Sequence, residues 1–482
     1  MTLKRISTGV VGLDKVLSGG LIIEQSYLIR GQPGSGKTTL GFHFLDEGSK
    51  AEAGLFISFS EPEARLRRNA KLMNMDLDGI QFLDLSPTAD FFIEDRTYDI
   101  FTPEEVEKTP TTESIIATID RVKPRRVFLD GIVQFRYFAR DSFQFRKQMQ
   151  SFIGFMRDRQ ITFLFTSEES KRYPDDDLQF MSDGVIKLQM DSQKRQVIIG
   201  KYRGSGFLRG NHDFDLNEGG MEVFPNLVPD SRKRESLLQS ISSGIPEIDE
   251  LLHGGIERGT VTIISGPSGV GKSTFGVQFM KEAAGRGERS VVYAFEEGDE
   301  TILKRCEAVN IPVRNMIERG TLSVVTIEPL KYTSSQFMYY VCQEVEQNQA
   351  KIVMIDSTSG YKLSMRGEDL IRQLHSLCQY LKNMGVTVIL INETHSITGS
   401  EFSVTEIGLS YLADNLVFLR YLELRGEMRK AIGVLKKRTS DFERTLREFQ
   451  ITKYGIKVGE PLTQLRGILS GVPTWIDKEK KS

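Results

Sequence analysis

Apolar residues fall along this chain in short, nearly unbroken runs bounded by polar or turn-forming residues. Ser26-Tyr27-Leu28-Ile29-Arg30, Val127-Phe128-Leu129 and Thr162-Phe163-Leu164-Phe165 are three of them. Thr260-Val261-Thr262-Ile263-Ile264, Ile352-Val353-Met354-Ile355 and Thr387-Val388-Ile389-Leu390-Ile391 are three more. Runs of this kind predict strands covered on both faces, the habit of a parallel sheet. Residues 143–158 and 369–383 predict helices between them. The alternation predicts an α/β fold with a mostly parallel, helix-flanked sheet.

The pattern occurs twice. Ile6-Ser7-Thr8-Gly9-Val10-Val11-Gly12-Leu13-Asp14 returns as Ile241-Ser242-Ser243-Gly244-Ile245-Pro246-Glu247-Ile248-Asp249, an offset of 235 residues (241 − 6). Gly19-Gly20 returns as Gly254-Gly255 at the same offset. Repeats this long indicate a duplicated domain rather than a solenoid. Two domains are predicted, 1–224 and 241–482, joined by a linker at 225–240. Pro225, Pro229 and the charged run Asp230-Ser231-Arg232-Lys233-Arg234-Glu235 bury little and read as a solvated connection.

Each repeat carries a phosphate-binding signature. Gly31-Gln32-Pro33-Gly34-Ser35-Gly36-Lys37-Thr38 and Gly266-Pro267-Ser268-Gly269-Val270-Gly271-Lys272-Ser273 both fit G-x-x-x-x-G-K-[ST], between a strand and a helix. Glycines let main-chain N–H groups converge on phosphates, and the helix N-terminus adds a partial positive charge. Lys37 and Lys272 are assigned to the β/γ-phosphates, and the hydroxyls of Thr38 and Ser273 to Mg²⁺. Thr39 and Thr274 complete the two cradles. Asp130 and Asp356 end apolar strands and are the candidate metal carboxylates, although an Asp in that place is also a common turn former. Hydrolysis further needs a group that positions the attacking nucleophile. Glu296 and Glu297 follow the strand Ser290-Val291-Val292-Tyr293-Ala294, with Glu296 also a metal candidate, whereas the N-terminal counterpart is Phe59-Ser60-Glu61. Two ATP sites of unequal kinetics are predicted.

Composition narrows the setting. Lys+Arg 63 against Asp+Glu 65 leaves a formal charge of −2, which argues against a dominant nucleic-acid or anionic-membrane surface. No basic stripe interleaved with aromatics is present, so a recombinase-type nucleic-acid motor ranks last. Cys306, Cys342 and Cys378 are too few and scattered for a disulfide framework. No apolar run approaches the roughly 20 residues that span a bilayer. A cytoplasmic location is expected.

With these motifs in order, the chain resembles the KaiC family, double-domain RecA-like ATPases of the cyanobacterial clock. The resemblance runs from about Ile6 to Trp475 and is most specific at Tyr421-Leu422-Glu423-Leu424-Arg425-Gly426-Glu427-Met428 and Lys436-Lys437-Arg438. It implies two tandem RecA-like P-loop NTPase domains and a homohexamer with ATP between subunits. Lys201, Tyr202, Arg203 and Ser205 would then approach a neighbour's N-terminal nucleotide, and Lys436, Lys437 and Arg438 its C-terminal one. It also implies ATP hydrolysis in the N-terminal ring and autophosphorylation in the C-terminal ring. Ser410 and Tyr411 match the phosphoacceptor pair, with Thr405 a nearby hydroxyl and Glu296 the base. Tyr411 replaces the family's Thr, and Ser60 replaces its Glu. A KaiB-like or signalling partner is compatible with the resemblance. The chain stops at Ser482 without the longer family tail, so regulation by a KaiA-like activator is not expected. The stretch between Pro87 and Asp130 exceeds its repeat counterpart and includes Asp90–Arg96 and Pro103-Glu104-Glu105, a partner-binding loop or a tolerated excursion in equal measure. An ATP-gated scaffold with little kinase activity is the alternative function.

Overall fold

A computed structural model describes residues 3–87, 108–169, 174–191, 194–226, 239–366, 369–394, 410–469 and 473–475. The chain divides into two compact units, residues 1–226 and 227–482.

In the first unit the strands are β1 (Ser26–Gly31), β2 (Gly54–Ser58), β3 (Gln81–Asp84), β4 (Arg126–Asp130) and β5 (Thr162–Glu168). They are followed by β6 (Gly184–Met190), β7 (Arg195–Tyr202), β8 (His212–Asn217) and β9 (Gly220–Phe224). Their order across the sheet is β3-β2-β4-β5-β1-β6-β7-β8-β9. From β3 to β6 every pairing is parallel, and from β6 to β9 every pairing is antiparallel.

The second unit repeats this plan. Its strands are β10 (Val261–Gly266), β11 (Ser290–Ala294), β12 (Leu322–Thr326), β13 (Ile352–Asp356) and β14 (Thr387–Glu393). Then come β15 (Asn415–Leu424), β16 (Glu427–Lys437), β17 (Arg447–Thr452) and β18 (Gly455–Pro461). The order β12-β11-β13-β14-β10-β15-β16-β17-β18 matches the first sheet position by position, parallel and antiparallel pairings included.

The fully buried runs predicted from the sequence are the central strands, β1, β4 and β5 with β10, β13 and β14. Each extends one to three residues past its apolar stretch, which brings Asp130 and Asp356 into β4 and β13. The predicted helices occupy Ser142–Asp158 and Leu370–Asn383. Asp141 caps the first by accepting from the Gln144 amide. Helices Lys37–Gly48 and Lys272–Gly285 follow the cradles directly. Their inner faces bury Leu40, Phe44 and Leu45, or Phe275, Phe279 and Met280, in one core of each unit. That burial, rather than end-capping, fixes each helix against the sheet, since neither Gly36 nor Gly271 offers a capping side chain.

Candidate nucleotide sites

Both cradles lie where β1 and β10 hand over to their helices, at the C-terminal edge of the parallel strands. Gly36 has φ +97° and Gly271 φ +113°, a left-handed backbone that side chains rarely adopt. A Cβ on Gly271 would come within 2.3 Å of Ile451 Cδ1. Lys37 Nζ donates to the carbonyls of Gly31 (2.9 Å) and Gln32 (3.0 Å), and Lys272 Nζ to that of Pro267 (2.8 Å). Both ammonium groups therefore fold back over their own loops. Burial lowers both lysine pKa values, opposed first by the Glu168 charge at Lys37 and by Glu393 at Lys272. Thr39, Thr274 and Val270 are buried.

Around the first cradle, Asp130 accepts from the Thr38 hydroxyl (2.7 Å) and the Thr166 hydroxyl (2.6 Å). Glu61 sits beyond β2 in an ion pair with Arg65 (3.1 Å), and Ser60 is exposed. Ser35 is buried in the loop.

The second cradle opens onto a cavity of about 540 Å³ lined by Ser268, Gly269, Lys272, Ser273, Glu296, Glu297, Arg305, Asp356 and Glu393, among others. Asp356 accepts a hydrogen bond from Ser273, and its burial raises its pKa above the usual carboxylate range. Glu296 accepts from Ser357 Oγ at 2.5 Å. Glu297 pairs with Arg305 Nη1 at 2.7 Å, and Arg305 Nη2 stands 3.9 Å from Asp356. The C-terminal candidates Ser268, Gly269, Gly271, Lys272, Ser273, Thr274, Glu296, Glu297 and Asp356 thus line one cavity.

Sequence reasoning missed Glu168 and Glu393, which end β5 and β14 in register with Gly31 and Gly266. Their signal was weaker than that of Asp130 and Asp356, because polar residues, Thr166-Ser167 or Asn392, separate each acid from its apolar run. It also missed Arg305, whose helical position carries no motif.

The donor set suits a hard cation. A hydroxyl and a carboxylate 2.7 Å apart at Thr38 and Asp130 fit a Mg²⁺ that completes its shell with phosphate oxygens and water. Among the described residues no cluster of three His, Cys, Asp or Glu side chains is placed to hold a metal ion.

The remaining candidates lie at the opposite edge of each sheet. Lys201 Nζ donates to the carbonyls of Gln179 (2.9 Å) and Phe180 (2.8 Å), and Arg203 approaches Asp183 at 3.6 Å. Lys436 Nζ donates to the Ser410 carbonyl (2.9 Å), Arg438 Nη2 to that of Tyr411 (3.2 Å), and Arg438 approaches Asp414 at 3.6 Å. Tyr202 and Lys437, between these cations on β7 and β16, point the other way and are buried. Tyr202 donates to the Gly20 carbonyl at 2.6 Å, Lys437 pairs with Glu257 at 2.8 Å, and Ser205 accepts from Arg5 at 2.5 Å. Their side chains engage their own unit. Ser410 and Tyr411 are exposed, the Tyr411 ring edge-on to His375 at 5.6 Å. Thr405, the acids at 90–95 and 103–105 and the charged run at 230–235 lie outside the described residues.

A family model described as the KaiC ATPase matches residues 6–228 and again 241–463. The chain belongs to the KaiC ATPase family. Among curated relatives, "Circadian clock protein KaiC3" of Synechocystis is 27% identical over 494 residues, covering 98% of this chain and 95% of the relative. "Circadian clock oscillator protein KaiC" of Parasynechococcus marenigrum is 27% identical over 498 residues, covering 100% and 95%. Its counterpart in Synechococcus elongatus is 26% identical over 491 residues, covering 99% and 93%. The duplicated ATPase domain is therefore that of KaiC proteins. No helix among the described residues is long and apolar enough to cross a membrane.

Proposed function

We propose that this KaiC-family chain is a Mg·ATP-dependent, autophosphorylating ATPase that works as a homohexamer in timing or signalling, with ATP between subunits. In this reading Lys37 and Lys272 hold the terminal phosphates, while Thr38 with Asp130 and Ser273 with Asp356 hold the metal. Glu296 takes the proton of the Ser410 hydroxyl as the phosphoryl group arrives, and Glu61 is the acid left to the N-terminal site. Lys201 and Arg203, like Lys436 and Arg438, serve the nucleotide of an adjacent subunit.

The observation that carries the proposal is a distance. Asp414 N donates to Val261 O at the start of β10, and the cradle begins at its end, Gly266. Five strand steps separate them, about 17 Å at about 3.3 Å per residue. Ser410 and the Lys436–Arg438 cations therefore lie too far from their own cradle to meet its γ-phosphate, and a head-to-tail ring brings them to the next subunit's.

The test is complementation. A Lys272→Ala chain keeps the acceptor and loses the donor, and a Ser410→Ala chain does the reverse. With γ-labelled ATP neither should take up label alone, and mixed subunits should label the Lys272→Ala chain. Label on Lys272→Ala alone would contradict the assignment of donor and acceptor. An unlabelled wild type would favour the second reading, an ATP-gated scaffold, which Tyr411 in the family's Thr position supports.

A further inference from the structure

The two metal carboxylates are held by different partners. In the first unit Asp130 accepts from the Thr166 hydroxyl of β5 at 2.6 Å, besides Thr38. Thr166 pairs in register with Ile29, and the matching residue of β14, paired with Ile264, is Ile391. Ile391 lines the C-terminal cavity and has no polar group to give. The second donor to Asp130 has thus been deleted at Asp356.

A compensating change stands opposite. Helix Glu63–Leu72 corresponds to helix Asp299–Glu307, with buried Leu66 and Ala70 in the places of Ile302 and Cys306. That alignment sets Arg305 where the first unit has Asn69. Arg305 gives Nη1 to Glu297 at 2.7 Å and turns Nη2 toward Asp356 at 3.9 Å, with no hydrogen-bond acceptor for Nη2 among the described residues. The guanidinium is planar, so fixing one edge on Glu297 fixes the direction of the other.

We infer that Arg305 is a positioning residue of the C-terminal site: it ties Glu297 to Asp356 and replaces, from the helix side, the hydroxyl that Thr166 supplies to Asp130. Thr166 with Asn69 and Ile391 with Arg305 are then two alternative solutions to one requirement, a metal carboxylate held in a single orientation. The inference rests on the reading of both cradles as Mg·ATP sites. The tie acts on the metal rather than on the phosphate lysine, so metal affinity is its natural readout.

The experiment uses the full chain with ATP and Mn²⁺ in place of Mg²⁺, counting free Mn²⁺ by electron paramagnetic resonance. Wild type should bind two Mn·ATP per chain; no binding there would sink the nucleotide reading itself. Arg305→Asn should weaken one of the two sites by about 10-fold or more, the range seen when a partner of a metal ligand is lost, and leave the other unchanged. Adding Ile391→Thr should bring that site back to within about 3-fold of wild type. Unaltered affinity in Arg305→Asn, or no recovery in the double variant, would overturn the inference. Should Arg305→Asn fail to fold, Arg305→Lys keeps the charge without the fork. A loss of about 3-fold or more at one site would then support the tie, and unchanged affinity would overturn it.

Discussion

Between the two paired cations at the end of the antiparallel strand, the N-terminal half buries Tyr202 and the C-terminal half buries Lys437. Tyr202 satisfies its hydroxyl with neutral and cationic partners, donating to the Gly20 carbonyl and accepting from Arg5 at 2.9 Å. Lys437 needs a counter-ion and finds Glu257, which stands where the first half has Ile22; it also donates to the Leu252 carbonyl. The outward cations on either side, Lys201 and Arg203 or Lys436 and Arg438, turn in both halves to main-chain carbonyls and an Asp, although Lys201 donates to two carbonyls and Lys436 to one. A duplicated fold has thus kept what faces outward and changed the buried chemistry in matched pairs. His43 against Gln278 is another case. His43 Nε2 accepts from the Met221 amide at 2.8 Å, while Gln278 donates to the Ser243 carbonyl at 2.8 Å.

The largest expected effect tests the buried pair. Lys437→Ala leaves Glu257 uncompensated and should destabilise the C-terminal half by about 3–5 kcal/mol, whereas Tyr202→Phe should cost the N-terminal half only about 1 kcal/mol. Urea unfolding of each variant measures both. Equal losses would mean that the two solutions are energetically alike.

Next come the cradles. Lys37→Ala should abolish most N-terminal nucleotide binding and, with ATP between subunits, ring assembly. Lys272→Ala should leave rings but remove phosphate incorporation. Each change should weaken its own site by about 100-fold, the scale of a lost charge-assisted phosphate contact. Size-exclusion chromatography with and without nucleotide separates the two; a Lys37→Ala chain that remains hexameric without nucleotide would break the link between binding and assembly.

An effect of similar size concerns acid. Burial lowers the His43 pKa to about 4, against about 6.5 when unfolded. Its contribution is complete above about pH 6.5 and is lost as pH falls toward 4, because the unfolded chain takes up the proton first. The loss should reach up to about 3 kcal/mol in the N-terminal half, and His43→Gln, which installs the C-terminal solution, should flatten it. Stability measured at pH 7 and pH 4.5 in both proteins gives the answer.

The smallest prediction concerns hydrolysis. Ser60→Glu restores the acid of the C-terminal site and should raise N-terminal turnover about 10-fold, read as phosphate release in a Lys272→Ala background. An unchanged rate would mean that Glu61 suffices.

Much of this comparison was legible in the sequence. The repeat, the cradles and the strand-end acids Asp130 and Asp356 announce themselves, because contiguous residues create each feature. The antiparallel wing beyond β6 was not read, since β7 alternates buried and more exposed residues and Glu222 interrupts the apolar positions of β9. Nor were Thr166, Ile391 and Arg305, whose bearing on Asp130 or Asp356 spans 35 to 51 residues of chain. Tyr202 and Lys437 were assigned by resemblance to the nucleotide together with their neighbours. On a strand, however, alternate side chains face opposite sides, and these two point into their own cores.

The central claim is that both cradles hold Mg·ATP. Calorimetric titration of the nucleotide-free chain with Mg·ATP tests it most directly. The account predicts saturable binding of two nucleotides per chain, falling to one in Lys272→Ala, and a chain that takes up no nucleotide would contradict it.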